Sequence, residues 1–452
     1  MDRVDTEVCV VGAGYAGLTA ARRLTQAGVA AVVLEARDRV GGRVWTRQLE
    51  DGTALDMGGT WLGPGQDAAY TLARELNVST YPTYASGETV FVDAHGNVSG
   101  YRGSIPKIGP FPIASLAQGM FRLDAMARSV PLDAPWKATR ARSWDGRSVG
   151  SWIESSVPTR TAKHLLRAAV RGLLTADPSE ISLLQFLHLV RSAGSGGLNA
   201  LLAIEGGYQQ DRLVGGAQSI ANAMSQELGE AVHVNTPVSE IGQDAVGVTV
   251  RGDSLSAHAK RTIVTIPPRL AARIRYSPLL PTDHAQLLDR MPAGEIIKVM
   301  TVYDEPFWRA DGRSGMSVAM NSPIETTLDA SPESGRGVLA SFAFGPYARS
   351  LARLVPDDRR DLVLDTLRLR FGPKAAEPMV YEEADWEREE WTRGCSAAHL
   401  ATGVLTQFGR YLRVPVGRIH WAGTETATTS WGTIDGAIRS GLRAAGEVLA
   451  KS

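Results

Sequence analysis

The chain is poor in cysteine, with two among 452 residues, Cys9 and Cys395. So few exclude a disulfide-stapled scaffold and a cysteine-built structural zinc site. An excess of one charge is missing as well. Forty-eight Lys and Arg stand against 48 Asp and Glu, so the chain carries no basic footprint for nucleic acid. No uncharged apolar run approaches the ~18 residues of a membrane span. The segment Met1 to Glu7 lacks the basic-then-apolar order of a signal peptide, and no hydrophobic tail precedes Lys451-Ser452. Eight histidines are scattered without an H-E-x-x-H pair, so no metal site is expected. These absences leave a soluble, cytoplasmic, globular protein, long enough for two or three domains with large cores.

The first 60 residues carry the strongest signal. Glu7 to Val11 is a β-branched run suited to a buried parallel strand. It leads into Gly12-Ala-Gly14-Tyr-Ala16-Gly17, the G-x-G-x-x-G spacing. Leu18, Ala21 and Leu24 follow at helical spacing, Gly28 closes the helix, and a second strand over 30–34 ends at Glu35. Each part has a physical task. Gly12 permits a tight turn, Gly14 lets backbone approach a pyrophosphate, and Gly17 lets helix and strand pack closely. The helix N-terminus offers free N–H groups to phosphate. Glu35 lies about twenty positions on, where an acid accepts from ribose hydroxyls, and its charge opposes the 2′-phosphate of NADP. Ala16 and Ala36 flank these contacts. Arg37, Gly42 and Arg43 then supply a second backbone approach and guanidinium groups for phosphate.

The stretch Glu35-Ala-Arg-Asp-Arg-Val-Gly-Gly-Arg43 resembles the segment after the ribose acid in the flavin amine oxidase superfamily. That group includes monoamine, polyamine, putrescine and cyclohexylamine oxidases, and L-amino acid oxidases. The resemblance runs along nearly the whole chain and is thin from about 100 to 200. It is closest to bacterial monoamine and putrescine oxidases. Asp56 to Pro64 resembles the loop beneath the flavin ring, with Gly58, Gly59, Thr60 and Trp61 as cofactor contacts. Thr236-Pro-Val238 falls where the family makes its second adenine contact. Trp421 to Thr428 and Asp435 to Gly441 form the most diagnostic block, and the resemblance implies cofactor roles for Gly423, Glu425, Thr433 and Ile434. Ile434, Ala437, Ile438, Leu442, Ala445 and Leu449 lie at core spacing in a helix over 433–449. Its N-terminus suits the charge of a reduced flavin; a helix packed for stability alone is the plainer alternative.

Between the ends, 145–205 reads as helical, and 103–112 and 192–197 as loops. Strands are expected over 232–234, 246–250, 262–265, 296–302, 337–344 and 418–421. The implied fold is α/β: a Rossmann-like FAD-binding domain of the glutathione-reductase type, interwoven with a substrate domain of sheet plus helices. The FAD-binding domain takes 1–80, 212–287 and 393–452, and the substrate domain 81–211 and 288–392.

Amine oxidation asks little of side chains, because flavin N5 takes the hydrogen from the carbon next to nitrogen. Lys298 lies in the apolar run Ile296 to Met300, sharing a strand face with both, an expensive place for an unpaired charge. It either snorkels to solvent from an edge strand or, as the family implies, holds a water at flavin N5 for reoxidation by oxygen. Cys395 matches the cysteine that carries FAD through a thioether in mitochondrial monoamine oxidases; a free buried thiol is the other reading. Trp61, Tyr208, Gln209, Trp391 and Trp431 are candidates for an apolar substrate cavity or for core. Gln209 matches a substrate-facing glutamine of the family. Ser396 and Thr433 stand where monoamine oxidases place two cage tyrosines, which implies a wider, more polar site suited to bulkier or secondary amines.

The implied activity is FAD-dependent oxidation of an amine by O2, giving an imine that hydrolyses to a carbonyl, and hydrogen peroxide. Alternatives are oxidation or dehydrogenation of a larger amine or amide metabolite, or of an L-amino acid. A flavin-bearing interaction protein, like the histone-demethylase branch, fits less well. A homodimer is compatible with the sequence.

Overall fold

The computed structural model describes residues 2–103, 106–333 and 335–451. A parallel sheet runs in the order Val232–His233, Ala31–Leu34, Val8–Val11, Arg261–Val264, Ile419–Trp421. Its central strand, Val-Cys-Val-Val, is buried on both faces, as expected of a parallel strand covered on each side. Val8 and Val10 pack with the helices Tyr15–Gln26 and Ile434–Leu449, while Cys9 and Val11 face a second core. That core is shared with a five-stranded sheet built from Asp2–Asp5, Leu255–Ala259, Val248–Gly252, Val238–Gln243 and Arg275–Ser277.

A third sheet has seven strands: Val380–Asp385, Ile296–Tyr303, Gly337–Phe344, Thr326–Asp329, Arg313–Ala319, Glu88–Val92 and Val98–Tyr101. Strand Ile296–Tyr303 is interior, paired on both sides. Its alternation sends Ile297 and Val299 toward the helix Pro356–Phe371, and Met300 and Val302 toward Leu55, Met57 and Trp386. Lys298 belongs to the second face.

The expected strands and helices are present with shifts of one or two residues at their ends, and four expectations need correction. The loop expected over 192–197 is instead the end of the helix Leu183–Ser192, a 3-10 turn over Gly194–Gly196 and the start of the helix Gly197–Leu202. The helical part extends beyond 145–205 to the helices Pro110–Ala127 and Ala141–Asp145. The loop expected over 103–112 ends at Gly109, because Pro110 opens a helix where its missing N–H removes no intrahelical bond. Ser104 and Ile105 of that loop lie outside the described residues. In the helix Ile434–Leu449, Leu442 is 43% exposed rather than core. The buried stripe uses Gly441 instead, where an added Cβ would lie 2.3 Å from the Ala16 carbonyl oxygen. The small residue lets this helix press against Tyr15–Gln26.

Candidate active site

A cavity of about 1110 Å³ runs from the ends of the parallel strands to the seven-stranded sheet and the helices over it. Ordinary small-molecule sites hold roughly 300–1,000 Å³, so the space suits an extended cofactor together with a substrate. The glycine turn behaves as its spacing implies. Gly12 has φ +101°, and a Cβ there would meet Ile266 Cγ2 at 2.8 Å. A Cβ on Gly17 would lie 1.9 Å from the Gly12 oxygen, so only glycine permits that packing. Gly14 is different. Its φ is −73°, open to any residue, and an added Cβ would find nothing nearer than Gly42 Cα at 3.9 Å. No side chain caps the helix that begins there. A glycine that the protein's own packing does not require, beside uncapped amides, fits a phosphate-bearing cofactor.

Glu35 accepts from Ala13 N at 2.7 Å and from Arg37 N at 3.0 Å, so its carboxylate is fixed at the cavity wall. Asn235 N and Thr236 N donate to the carbonyls of Arg37 and Glu35, both at 2.7 Å. These bonds bring Val238 to the same wall as Ala36. Arg37 is held by Glu389 and Thr392. The segment bearing Trp391 is thereby tied to the nucleotide end, and Trp391 itself lines the cavity. Arg43 makes a two-pronged pair with Glu425, at 2.6 and 3.0 Å, and donates to the Ser396 carbonyl at 2.8 Å. Glu425 also accepts from Ala398 N at 3.1 Å. It does not line the main cavity, so its direct cofactor role is replaced by the holding of Arg43. Burial raises its proton affinity, but Arg43 outweighs this and keeps the carboxyl below its ordinary range. Gly17, too, is off the wall, as its packing role requires.

At the other end, Lys298 is 2% exposed on an interior strand, which excludes snorkelling from an edge. Its Nζ donates to Gly58 O at 3.0 Å and Thr60 Oγ1 at 2.8 Å, and stands 5.2 Å from the Trp61 ring and 5.4 Å from Phe342. An ammonium has three donors, so one remains beside the cavity. Burial pushes its pKa down to about 7, with Asp56 opposing and Arg212 adding to the fall. Gly58, Gly59, Thr60, Trp61, Gly423 and Ile434 all line the space, as do Ala16, Gly42 and Cys395.

Cys395 and Ser396 are joined by a cis peptide bond. Burial pushes the Cys395 thiol up to about 11, against the pull of Arg43 and Lys298. Ser396 lies on the wall with its hydroxyl 3.5 Å from Leu173 O. Thr433 lines the cavity, but its hydroxyl donates to Ser430 O at 2.6 Å and accepts from Gly436 N at 3.1 Å. It caps a helix, so the polarity expected at this cage position is already engaged. Trp431 is anchored by Nε1 to Glu425 O at 3.0 Å. Tyr208 is buried at the wall. Gln209 donates to Leu201 O at 3.1 Å, while its Oε1 and the Trp61 Nε1 are buried without a partner. Such groups cost about 1–3 kcal/mol if left unmet, and both border the cavity.

Sequence reasoning missed Gln66, whose buried Oε1 also has no partner at the wall. It missed Phe342 and Phe344, stacked with centroids 5.7 Å apart. The two-residue spacing of those rings on an expected strand was the available signal. Among the described residues, no cluster of His, Cys, Asp or Glu is arranged to hold a metal, and no helix is long and apolar enough to cross a membrane.

A dinucleotide cradle opening onto an apolar chamber with one buried lysine defines a flavin-dependent oxidoreductase. Comparison with known proteins makes the class specific. Residues 15–449 match the family model described as flavin containing amine oxidoreductase. A Mycobacterium tuberculosis chain provisionally named flavin-containing monoamine oxidase AofH is 41% identical over 98% of this chain and 96% of its own length. Human flavin-containing amine oxidase B is 36% identical over 98% of this chain and 86% of its own. Wild-type putrescine oxidase bound to putrescine superposes with TM-score 0.95 at 34% identity, covering 99% of this chain and 100% of that one. The chain belongs to the flavin-containing amine oxidase family. It is an FAD-dependent amine oxidase, acting on a C–N bond with oxygen as acceptor.

Proposed function

We propose that the substrate is a bulky or secondary amine without a carboxylate, seated between Gln209 and Ser396 and facing Lys298. The observation that carries this reading is the charge pattern of the wall. Its arginines are Arg37, Arg43, Arg273 and Arg393. They come from segments around the dinucleotide arm, not from 165–173, 199–209 or 314–344, which line the apolar chamber. Arg43 reaches the Ser396 carbonyl but is already paired with Glu425, so an L-amino acid would find no free guanidinium there. A relative whose structure is that of a cyclohexylamine oxidase from Brevibacterium oxydans, with 32% identity and TM-score 0.95, supports an apolar amine.

When bound, FAD supplies a hydride acceptor at N5 and returns the electrons to oxygen as peroxide. The chain's own residues do the rest. The apolar walls strip water from the amine and favour its unprotonated form, whose lone pair can become the C=N bond as the carbon next to nitrogen gives up the hydride. Gln209 Oε1 accepts from the amine N–H. Lys298, close to half-charged near neutrality, holds a water beside Gly58 and Thr60. The amides at the start of Ile434–Leu449 favour negative charge on the reduced cofactor. Residues 1–80, 212–287 and 393–452 act as the cofactor-holding part, and 81–211 with 288–392 as the substrate part. Attachment of the cofactor through Cys395 belongs to this reading. In a putrescine oxidase of similar structure, an alanine was exchanged for cysteine in a redesign of cofactor binding.

A panel of amines, read by peroxide release and by anaerobic flavin bleaching, tests the proposal. Bleaching by bulky or secondary amines with peroxide in air is expected. Turnover confined to amino acids would overturn it. Acid precipitation decides attachment: flavin in the pellet supports the thioether, and flavin left in solution removes it.

A further inference from the structure

We infer that Thr175 is a positioning residue for the reaction, setting the wall formed by Cys395 and Ser396. It stands at the end of the helix Arg160–Leu174 in the left-handed region, φ +53°. It is 1% exposed. Its hydroxyl serves both polar groups of one peptide unit. It donates to the Cys395 carbonyl and accepts from Ser396 N at 3.1 Å. Its own carbonyl accepts from Glu295 N at 2.7 Å, one residue before the strand that carries Lys298.

Two glycines exist to let this junction close. A Cβ on Gly294 would lie 1.9 Å from Thr175 Oγ1, and a Cβ on Gly394 would lie 2.4 Å from the Gly294 oxygen. Cys395 N in turn donates to Gly294 O at 2.9 Å. Three segments distant in sequence therefore meet at one hydroxyl: the helix over the chamber, the approach to the lysine strand, and the pair facing the cofactor. The same helix lines the chamber through Leu165, Ala169, Gly172 and Leu173. Arg171 fixes its last turn to the sheet through a two-pronged pair with the buried Glu325. Of these two anchors the Thr175 one holds the peptide of the cofactor-facing pair, and Ser396 Oγ adds a longer bond of 3.5 Å to Leu173 O of the same helix. Removing the hydroxyl would leave a buried N–H and a buried carbonyl unmet, and the pair would move to find partners.

The inference rests on the amine-oxidase reading of the cavity, and wild type tests that reading first, by anaerobic bleaching with the best amine of the panel. If no amine bleaches wild type, the functional reading fails before Thr175 is at issue. In Thr175→Val, the rate constant for anaerobic bleaching by that amine should fall about tenfold, with the flavin absorbance bands shifted and KM little changed. Thr175→Ser keeps the hydroxyl and should restore both rate and spectrum. Should the valine variant not fold, Thr175→Cys takes its place as the weaker hydrogen-bonding group and should be slow where serine is normal. A valine variant, or in its absence a cysteine variant, with wild-type bleaching rate and spectrum would overturn the inference, whatever its melting temperature.

Discussion

Charged side chains at the nucleotide end of the cavity are answered by the protein itself: Glu35 by two backbone amides, Arg37 by Glu389, Arg43 by Glu425. At the amine end the polar atoms stand nearly alone, with Gln209 Oε1 and Trp61 Nε1 unmet and Lys298 pushed down to about 7 by burial. The contrast teaches what each end does. A cofactor that stays bound is best served by groups fixed in advance, because no reorganisation is then needed. A transient substrate needs an apolar volume and a few unmet groups that it alone satisfies.

The largest expected effect breaks the nucleotide end without touching the fold. In Gly14→Asp the backbone conformation is ordinary and the space is open, and aspartate is a favoured helix N-cap. Its charge would face the pyrophosphate. Like charges 4 Å apart repel by about 4 kcal/mol at an effective dielectric of 20, roughly a thousandfold in affinity. The flavin-free variant should keep its melting temperature while FAD titration shows no tight binding.

Glu425→Gln tests whether that carboxylate is structural. Leaving Arg43 buried without its partner should cost about 3 kcal/mol, read as a lower urea midpoint. Equal stability with weaker FAD binding would return Glu425 to the cofactor.

For Lys298 the expected effect is smaller and pH-dependent. Its folded pKa, about 7, lies below the unfolded value of about 10.4. The unfolded chain therefore binds more protons between those values, so stability rises with pH across that window and is lost as pH falls toward 7. Urea unfolding at pH 7 and pH 9 should differ by on the order of 2 kcal/mol from this group, and Lys298→Met should abolish that part of the difference.

The nucleotide end was legible because its devices are local. Gly12, Gly14, Gly17 and Glu35 serve one turn, one helix start and one strand end, all within a short stretch of chain. What the sequence hid depends on distant partners. Arg43 and Glu425 are 382 residues apart, and nothing in either segment reveals that the acid turns from the cofactor to the arginine. The contacts that tie the neighbours of Trp391 to Arg37 likewise appear only on folding. Thr433 lines the cavity, but its hydroxyl answers the local demand of a helix start. Lys298 stood out as a charge in an apolar run. That its strand is interior follows only from the order of the seven-stranded sheet.

With no free guanidinium in the chamber to choose a carboxylate, selection among amines falls to shape, through a wall left open at Ser396. Thr433 caps a helix, so Ser396→Tyr alone is the cleaner probe. The decisive measurement is kcat/KM for benzylamine and for dibenzylamine in wild type and Ser396→Tyr. Wild type should prefer dibenzylamine, and the tyrosine should shift the ratio toward benzylamine by about tenfold or more, the scale of a modest change in pocket fit. A wild type that already prefers benzylamine, with a ratio unmoved by the tyrosine, would contradict the claim.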